Sequence, residues 1–268
     1  MSAWRPQLAA AAGIFQRDLT VFLSYRWRLG TQYVGVLFSL AVFYYISRLV
    51  RVEAFATPTA YFSYAAVGVI ILQVLQSTLD IPVTVRQELV AGTFERMAVS
   101  PFGPVASILS LFLFPIASAI LTMLITLTLT AVVFGVSPSW ARVPLAIPVA
   151  AVGAVALGAI ALLFVAMIVR FKQAPGAAYV LAAISLVAGF YFPVELLPWW
   201  LSWASDVQPF TPAVDLLRHL LVGLPLRASA WGDVAKLVGF SAVLLPVGVA
   251  GLSLAIDRSR RLGTLTEY

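Results

Sequence analysis

Residues 86–104 read RQELVAGTFERMAVSPFGP, placing Arg86, Glu88, Glu95 and Arg96 close together in a chain of which only 10% is charged. Upstream, Ala60–Leu79 carries no charge; downstream, neither does Val105–Gly135. About 20 mostly apolar residues suffice for a helix to cross the hydrocarbon core of a bilayer. The polar stretch therefore joins two membrane spans, and its own pattern is ordered. The upstream helix is expected to run past Asp80 and stop at Gly92, since glycine accepts the left-handed C-cap conformation. Thr93 suits the N-cap of a new short helix, and Glu95 sits in its first turn, where the helix dipole favours an acid. Arg96 stands where a capping box would place Glu, so the full box is absent. Pro101 ends the short helix and Gly103–Pro104 opens the next span. Phe94, Met97 and Ala98 share one face, with Glu95 and Arg96 on others. Such a face suits the groove of a partner protein and equally suits the bilayer surface. The residues by themselves leave both readings open.

The rest of the chain agrees with a membrane setting. It has 268 residues, 62% of them hydrophobic, whereas soluble domains carry about 25% charged residues. There is no cysteine, which excludes a disulfide framework and thiolate metal sites. His219 is the single histidine, which argues against a histidine-rich metal site. The net charge of +6 does not indicate nucleic acid, because the basic residues sit at the ends of apolar runs, as membrane anchors do. Gln16, Arg17 and Asp18 interrupt the first apolar run, which predicts a retained N-terminus and not a cleaved signal.

These patterns predict an all-α polytopic membrane protein forming a single domain over 1–268. Residues 1–28 are read as an interfacial amphipathic helix: over 8–28, Leu8, Ala12, Phe15, Leu19 and Phe22 line one face and Gln16, Thr20, Ser24 and Arg28 another, flanked by Trp4 and Trp27. Six spans follow, at Leu29–Ser47, Ala60–Leu79, Val105–Gly135 (with a kink expected at Pro115), Pro144–Ile168, Ala174–Phe192 and Lys236–Ile256. Residues 81–104 form a cytoplasmic hairpin. Placing both termini in the cytoplasm puts Arg5, Arg17, Arg26, Arg28, Arg86, Arg96, Arg170, Lys172, Arg258, Arg260 and Arg261 inside. It leaves only Arg48, Arg51, Arg142, Arg218, Arg227 and Lys236 outside, as the positive-inside rule requires. Between spans five and six, residues 193–230 hold Pro198, Pro209, Pro212 and Pro225 and the ring-bearing Trp199, Trp200 and Trp203. No apolar piece there is long enough to cross, so half-helices dipping from the outer interface are expected. Asp215 has Arg218 and His219 at helical spacing, which allows a local ion pair.

Chemistry is conspicuous by what the sequence omits. Paired histidines for a membrane zinc protease are missing, as are membrane-buried acids for ion coupling: Asp80, Asp215 and Lys236 all fall at predicted ends. The chain has no GxxxxGK[ST] motif, so any ATPase must reside on a partner.

Glu88 to Pro101, ELVAGTFERMAVSP, resembles the signature of ABC-2 type export permeases, E-x-x-x-G-T-x-E followed by apolar residues and S/T-P. Phe192 to Arg218, FPVELLPWW…PFTPAVDLLR, is similar to that family's stretch between spans five and six. It departs from the pattern at Gln208, where Asn is common, and at Pro212. The resemblance implies the membrane subunit of a bacterial ATP-driven exporter in the cytoplasmic (inner) membrane. It further implies pairing with a second permease copy, as a homodimer, and with two copies of a cytoplasmic ABC ATPase. The chain itself would be no enzyme and hold no cofactor, ATP and Mg residing on the ATPase; membrane lipids, not nucleic acid, would surround it. Glu88, Gly92, Thr93, Phe94, Glu95, Arg96 and Met97 would couple to the ATPase. Pro193, Pro198, Trp199, Asp215 and Arg218 would form an extracellular gate. Tyr44, Tyr45, Tyr61 and Tyr64 are either part of a substrate path or an interfacial aromatic belt. A drug, antibiotic or lipid is the expected substrate, with cell-surface polysaccharide or lipid-linked glycan as the alternative. An ion-coupled carrier and a non-transporting assembly protein are the competing classes.

Overall fold

A computed structural model describes residues 4–49, 55, 57–92, 103–172 and 177–262. Every regular element among them is helical. In chain order these are α1 (Trp4–Ser24), α2 (Arg26–Leu49), α3 (Pro58–Leu79), α4 (Ile81–Val90), α5 (Gly103–Ser110), α6 (Leu113–Phe134), α7 (Val143–Phe171), α8 (Ala177–Val187), α9 (Trp199–Asp206), α10 (Phe210–Val222) and α11 (Ala230–Arg261). Single 3-10 turns precede α7 and α9.

Among the described residues, five helical segments are long and apolar enough to cross a bilayer: Gly30–Leu49, Pro58–Val90, Gly103–Phe134, Trp140–Phe171 and Ala230–Arg261. The chain is a multi-pass membrane protein. Of the expected fifth span, 174–192, the described residues begin at Ala177 and are helical over the 11 residues of α8. At 1.5 Å per residue that reaches about 17 Å, short of the ~30 Å core. Gly189 then adopts φ 79°, and the chain leaves the helix.

Several ends follow from local chemistry. Thr57 caps α3 by accepting a hydrogen bond from the Ala60 amide at 3.2 Å, with Pro58 in the first turn. Ser229 caps α11 in the same way through Gly232, at 3.1 Å. That cap starts the last span six residues before the expected Lys236. The N-terminal helix stops at Ser24, not at 28, so Arg26, Trp27 and Arg28 belong to α2. The third span breaks at Leu111–Phe112. Pro115 lies four residues beyond Leu111 and cannot donate to its carbonyl, so the expected effect of that proline falls one turn earlier.

Helix α7 is the centre of the bundle. Its Ala146, Ala150, Ala154 and Leu157 join a core with α3, α6 and α10; its Ala161, Leu162, Val165 and Val169 join a second with α4, α5 and α11. Small residues let helices approach closely where lipid offers no hydrophobic drive for association. A Cβ at Gly248 of α11 would lie 2.6 Å from the Ala159 carbonyl oxygen of α7, a contact with backbone that cannot yield. A third cluster joins α2 to α3 through Val36, Leu40, Phe62, Ala66 and Val69.

Two substitutions in α11 separate packing from helix propensity. Gly248→Ala is expected to force α7 and α11 apart and cost about 1–3 kcal/mol, the usual range for overpacking. Gly239→Ala, with nothing within 4 Å of the added carbon, is expected to be neutral or slightly stabilising. Thermal unfolding in detergent distinguishes them; equal midpoints for the two variants would refute the tight α7–α11 seam.

Candidate functional site

Two chambers lie along α3. One, of about 680 Å³, is walled by Thr31, Gln32, Gly35, Val36 and Ser39 on α2. Facing them are Val69, Leu72, Gln73, Gln76 and Ser77 on α3, with Asp80 just after the C-terminus of α3 and Tyr191 completing the lining. The lining positions recur at three- and four-residue spacing on both helices, so each contributes one continuous face. Oε1 of Gln73 is buried there and has no hydrogen-bond partner among the described residues. An amide oxygen in that state is costly.

The second chamber, of about 310 Å³, shares Gln32, Ser77 and Asp80 with the first. Its remaining lining sets Val21 and Phe22 of α1, Tyr25 just after it, Ile81 of α4, and Leu111, Phe114 and Pro115 around the break before α6 beside the polar Asp18, Thr84, Ser118 and Thr122. The amphipathic α1 is thus one wall of it. Phe15 and Phe22 of α1 meet Phe114 edge to face, with ring centroids 5.8 and 5.4 Å apart. The chambers adjoin at the residues they share, and the smaller is the more apolar of the two.

A buried polar knot lies at the other end of α3. Arg218 of α10 is 3% exposed. Its Nη2 donates to the Phe190 carbonyl at 2.8 Å, and its Nε to the Tyr64 carbonyl at 3.4 Å. The guanidinium carbon sits 3.4 Å from the centre of the Tyr64 ring, a cation–π geometry. Tyr64 donates its hydroxyl to the Gly189 carbonyl at 3.0 Å. A Cβ on Gly68 would lie 1.7 Å from the Phe190 carbonyl oxygen. Glycine at that position is therefore what lets the chain after α8 lie against α3.

The Asp215–Arg218 ion pair that the spacing allows does not form. Arg218 turns to the two carbonyls, and His219 places Nδ1 2.9 Å from the Leu224 carbonyl. Burial pushes the Asp215 carboxyl up to about 6, with Arg218 opposing that shift. Glu195 instead pairs with Arg227 at 2.5 Å, joining the two ends of the 193–230 segment.

Among the other residues singled out from sequence, Pro193 and Pro198 precede the 3-10 turn and α9. Trp199 is 87% exposed at the start of α9. Tyr44 packs against Phe62 and Phe134, with centroids 5.3 and 5.4 Å away, and carries Arg48 over its ring. Tyr61 meets Phe55 at 5.4 Å, and Tyr45 is exposed. None of the four tyrosines lines either α3 chamber. Glu88 lies on α4, with Oε1 3.5 Å from Arg17 of α1. Gly92 has φ 72°, the left-handed stop expected of it. Thr93, Phe94, Glu95, Arg96 and Met97 lie outside the described residues.

The profile of the ABC-2 type transporter family matches residues 14–222, from within α1 to the end of α10. The chain belongs to the ABC-2 type transporter family. No curated protein matches it. Members of this family are membrane permeases, and they normally work with an ABC ATPase. In this permease, the residues that sequence reasoning passed over are Thr31, Gln32, Gln73 and Gln76. Their signal was present: Gln73, Gln76, Ser77 and Asp80 form a three-and-four-spaced polar stripe on an otherwise apolar span, where polar side chains are costly and tend to be functional.

The knot gives two expected outcomes for this permease. Tyr64→Phe keeps the ring under Arg218 and loses one hydrogen bond, for about 1 kcal/mol. Arg218→Gln loses a charge-assisted bond and the ring contact, for about 1.5–3 kcal/mol. Coupling in the double-mutant cycle, read by thermal unfolding, checks whether the two act as one unit; strict additivity would contradict it.

Proposed function

We propose that this permease is the membrane subunit of an ATP-driven exporter and carries an amphipathic substrate through the two joined α3 chambers. The observation that supports the substrate class is the division of the path. The apolar chamber beside α1 suits a hydrocarbon or aromatic body, and the amides and hydroxyls of the larger chamber suit a hydrogen-bonding head. A drug, an antibiotic or a lipid of that build fits. A lipid-linked glycan is the second reading, favoured by the amide-rich lining of Gln32, Gln73 and Gln76 and tested in the same assay.

In this reading the permease forms a homodimer carrying two ATPase subunits, both termini are cytoplasmic, and the α8 region completes a sixth crossing. The segment 193–230 acts as a re-entrant outer gate: α9 and α10, with 8 and 13 residues, are too short to cross. Residues 93–100 act as the coupling helix, bracketed by Gly92 and Gly103, whose φ values are 72° and 74°. Glu88 acts on the ATPase indirectly, by holding α4 to Arg17 of α1. ATP and Mg bind the partner, consistent with the missing phosphate-binding loop in this sequence.

Reconstituted with its ATPase, the wild-type complex is expected to hydrolyse ATP faster with amphipathic substrate. Gln73→Leu together with Gln76→Leu is expected to reduce that stimulation at least ten-fold while leaving complex yield unchanged. Stimulation by lipid-linked glycans and not by amphipathic drugs would select the second reading; unchanged stimulation in the double variant would refute the path. Separately, Phe94→Ala with Met97→Ala is expected to weaken co-purification of the ATPase by roughly thirty-fold in affinity, the scale of a lost hot spot. Wild-type recovery of the complex in that variant would refute the coupling assignment.

A further inference from the structure

At the opposite side of the bundle, one face of α7 and one face of α11 enclose a trough of about 910 Å³. Its α7 wall is Leu163, Ala166, Met167 and Arg170, at intervals of three, one and three residues. Its α11 wall repeats the order, with Gly251, Leu254, Ala255 and Arg258 at the same intervals. Each wall thus changes from apolar to cationic at the same level, and Arg261 adds a third guanidinium beyond it. Gly251 keeps the apolar part open, since a Cβ there would come within 3.2 Å of the Leu163 side chain. Leu254 and Phe171 are exposed beside it.

The charge is not spent on ion pairs among the described residues. Arg170 lies over the Phe171 ring at 5.1 Å, but none of Arg170, Arg258 and Arg261 has an ion pair with a described residue. Asp257 is the one acid in the lining. Three exposed cations and one carboxylate, at the end of a hydrocarbon-lined trough, suit an anion with an acyl chain attached. Basic pockets between membrane helices bind anionic headgroups on this principle, and the guanidinium fork suits phosphate oxygens.

We propose that the α7–α11 trough is a binding site for one anionic glycerophospholipid, its phosphate among Arg170, Arg258 and Arg261 and an acyl chain along Met167, Gly251 and Leu254. The site is separate from the transport chambers, because α11 contributes to neither of them. It depends only on the chain residing in a membrane, not on the proposed substrate or direction of transport.

The test uses the full chain in nanodiscs of phosphatidylcholine carrying a trace of spin-labelled phosphatidylglycerol or spin-labelled phosphatidylcholine. The wild type is expected to immobilise the anionic label preferentially, and each arginine changed to glutamine to reduce the preference roughly five-fold. Gly251→Leu, which keeps every charge and fills the trough, is expected to abolish it. Arg142→Gln, at the far end of α7, is expected to leave it intact and controls for general surface charge. Equal immobilisation of both labels by the wild type would overturn the proposal. So would an undiminished preference in Arg258→Gln and Gly251→Leu. Displacement of the anionic label by excess inorganic phosphate would also overturn it, by showing a site for free phosphate in which the acyl chain plays no part. Should one of the arginine variants fail to fold, the other two and the Gly251→Leu variant decide the outcome.

Discussion

Away from water, a helix that stops must hand its carbonyls to some other donor. The chain does stop, at Val187, and the next three residues are buried. Arg218 and the Tyr64 hydroxyl supply the missing donors to Phe190 and Gly189. Almost everything on that side of the bundle depends on this exchange. It fixes α10 against α3, allows α9 to start a new direction, and leaves Asp215 without the partner that its spacing offered. The cation is stabilised in turn by the aromatic face beneath it and by carbonyl dipoles, not by an acid. Gly68 is part of the same arrangement, because any side chain there would occupy the place of the Phe190 carbonyl.

The α3 chambers have a different origin. They exist where side chains on two neighbouring spans are polar and α1 lies beside the break of the third span. Pro115 makes that break, and the break places Leu111 and Phe114 in the wall. An amphipathic helix read from sequence as an interfacial anchor thus also forms part of a cavity, with its phenylalanines against Phe114. The salt link between Arg17 and Glu88 joins this helix to α4, and α4 leads to the hairpin. Exposed ion pairs of this kind contribute little stability, about 0–1 kcal/mol, so the link matters more for position than for strength.

Much of this could be read in the sequence. Apolar runs disclosed the long spans, because hydrocarbon thickness sets a length that few other structures share. Gly92 disclosed its left-handed stop, and the prolines of 193–230 disclosed short helices that cannot cross. Tertiary choices were less legible. The spacing of Asp215, Arg218 and His219 permits a local pair, but spacing cannot tell that a carbonyl 28 residues away competes for the same guanidinium. The tyrosines were conspicuous as rings; whether a ring faces a cavity or a neighbouring phenylalanine depends on helix rotation, which composition does not encode. The reverse held for Gln73 and Gln76. Their stripe was legible, and attention to charged groups alone passed over it.

The unequal burial of the spans has a mechanical consequence. Within the bundle, 67% of the membrane window of the Trp140–Phe171 segment is buried, against 17% for the Gly30–Leu49 segment. Helix α7 is therefore a stator, locked by small-residue seams on several sides. Helix α2 is closer to a hinged shutter: it borders the larger chamber through Thr31, Gln32 and Ser39, yet few of its side chains would leave a packed core if it swung outward. Apolar burial carries most of the cost of separating packed surfaces, so within the single chain tilting α2 would break fewer buried contacts than moving α3, whose segment Pro58–Val90 is 65% buried. A distance label on α2 read against one on α7 would register that tilt, and a chamber that widened with the two labels at constant separation would show a different wall to be the moving part.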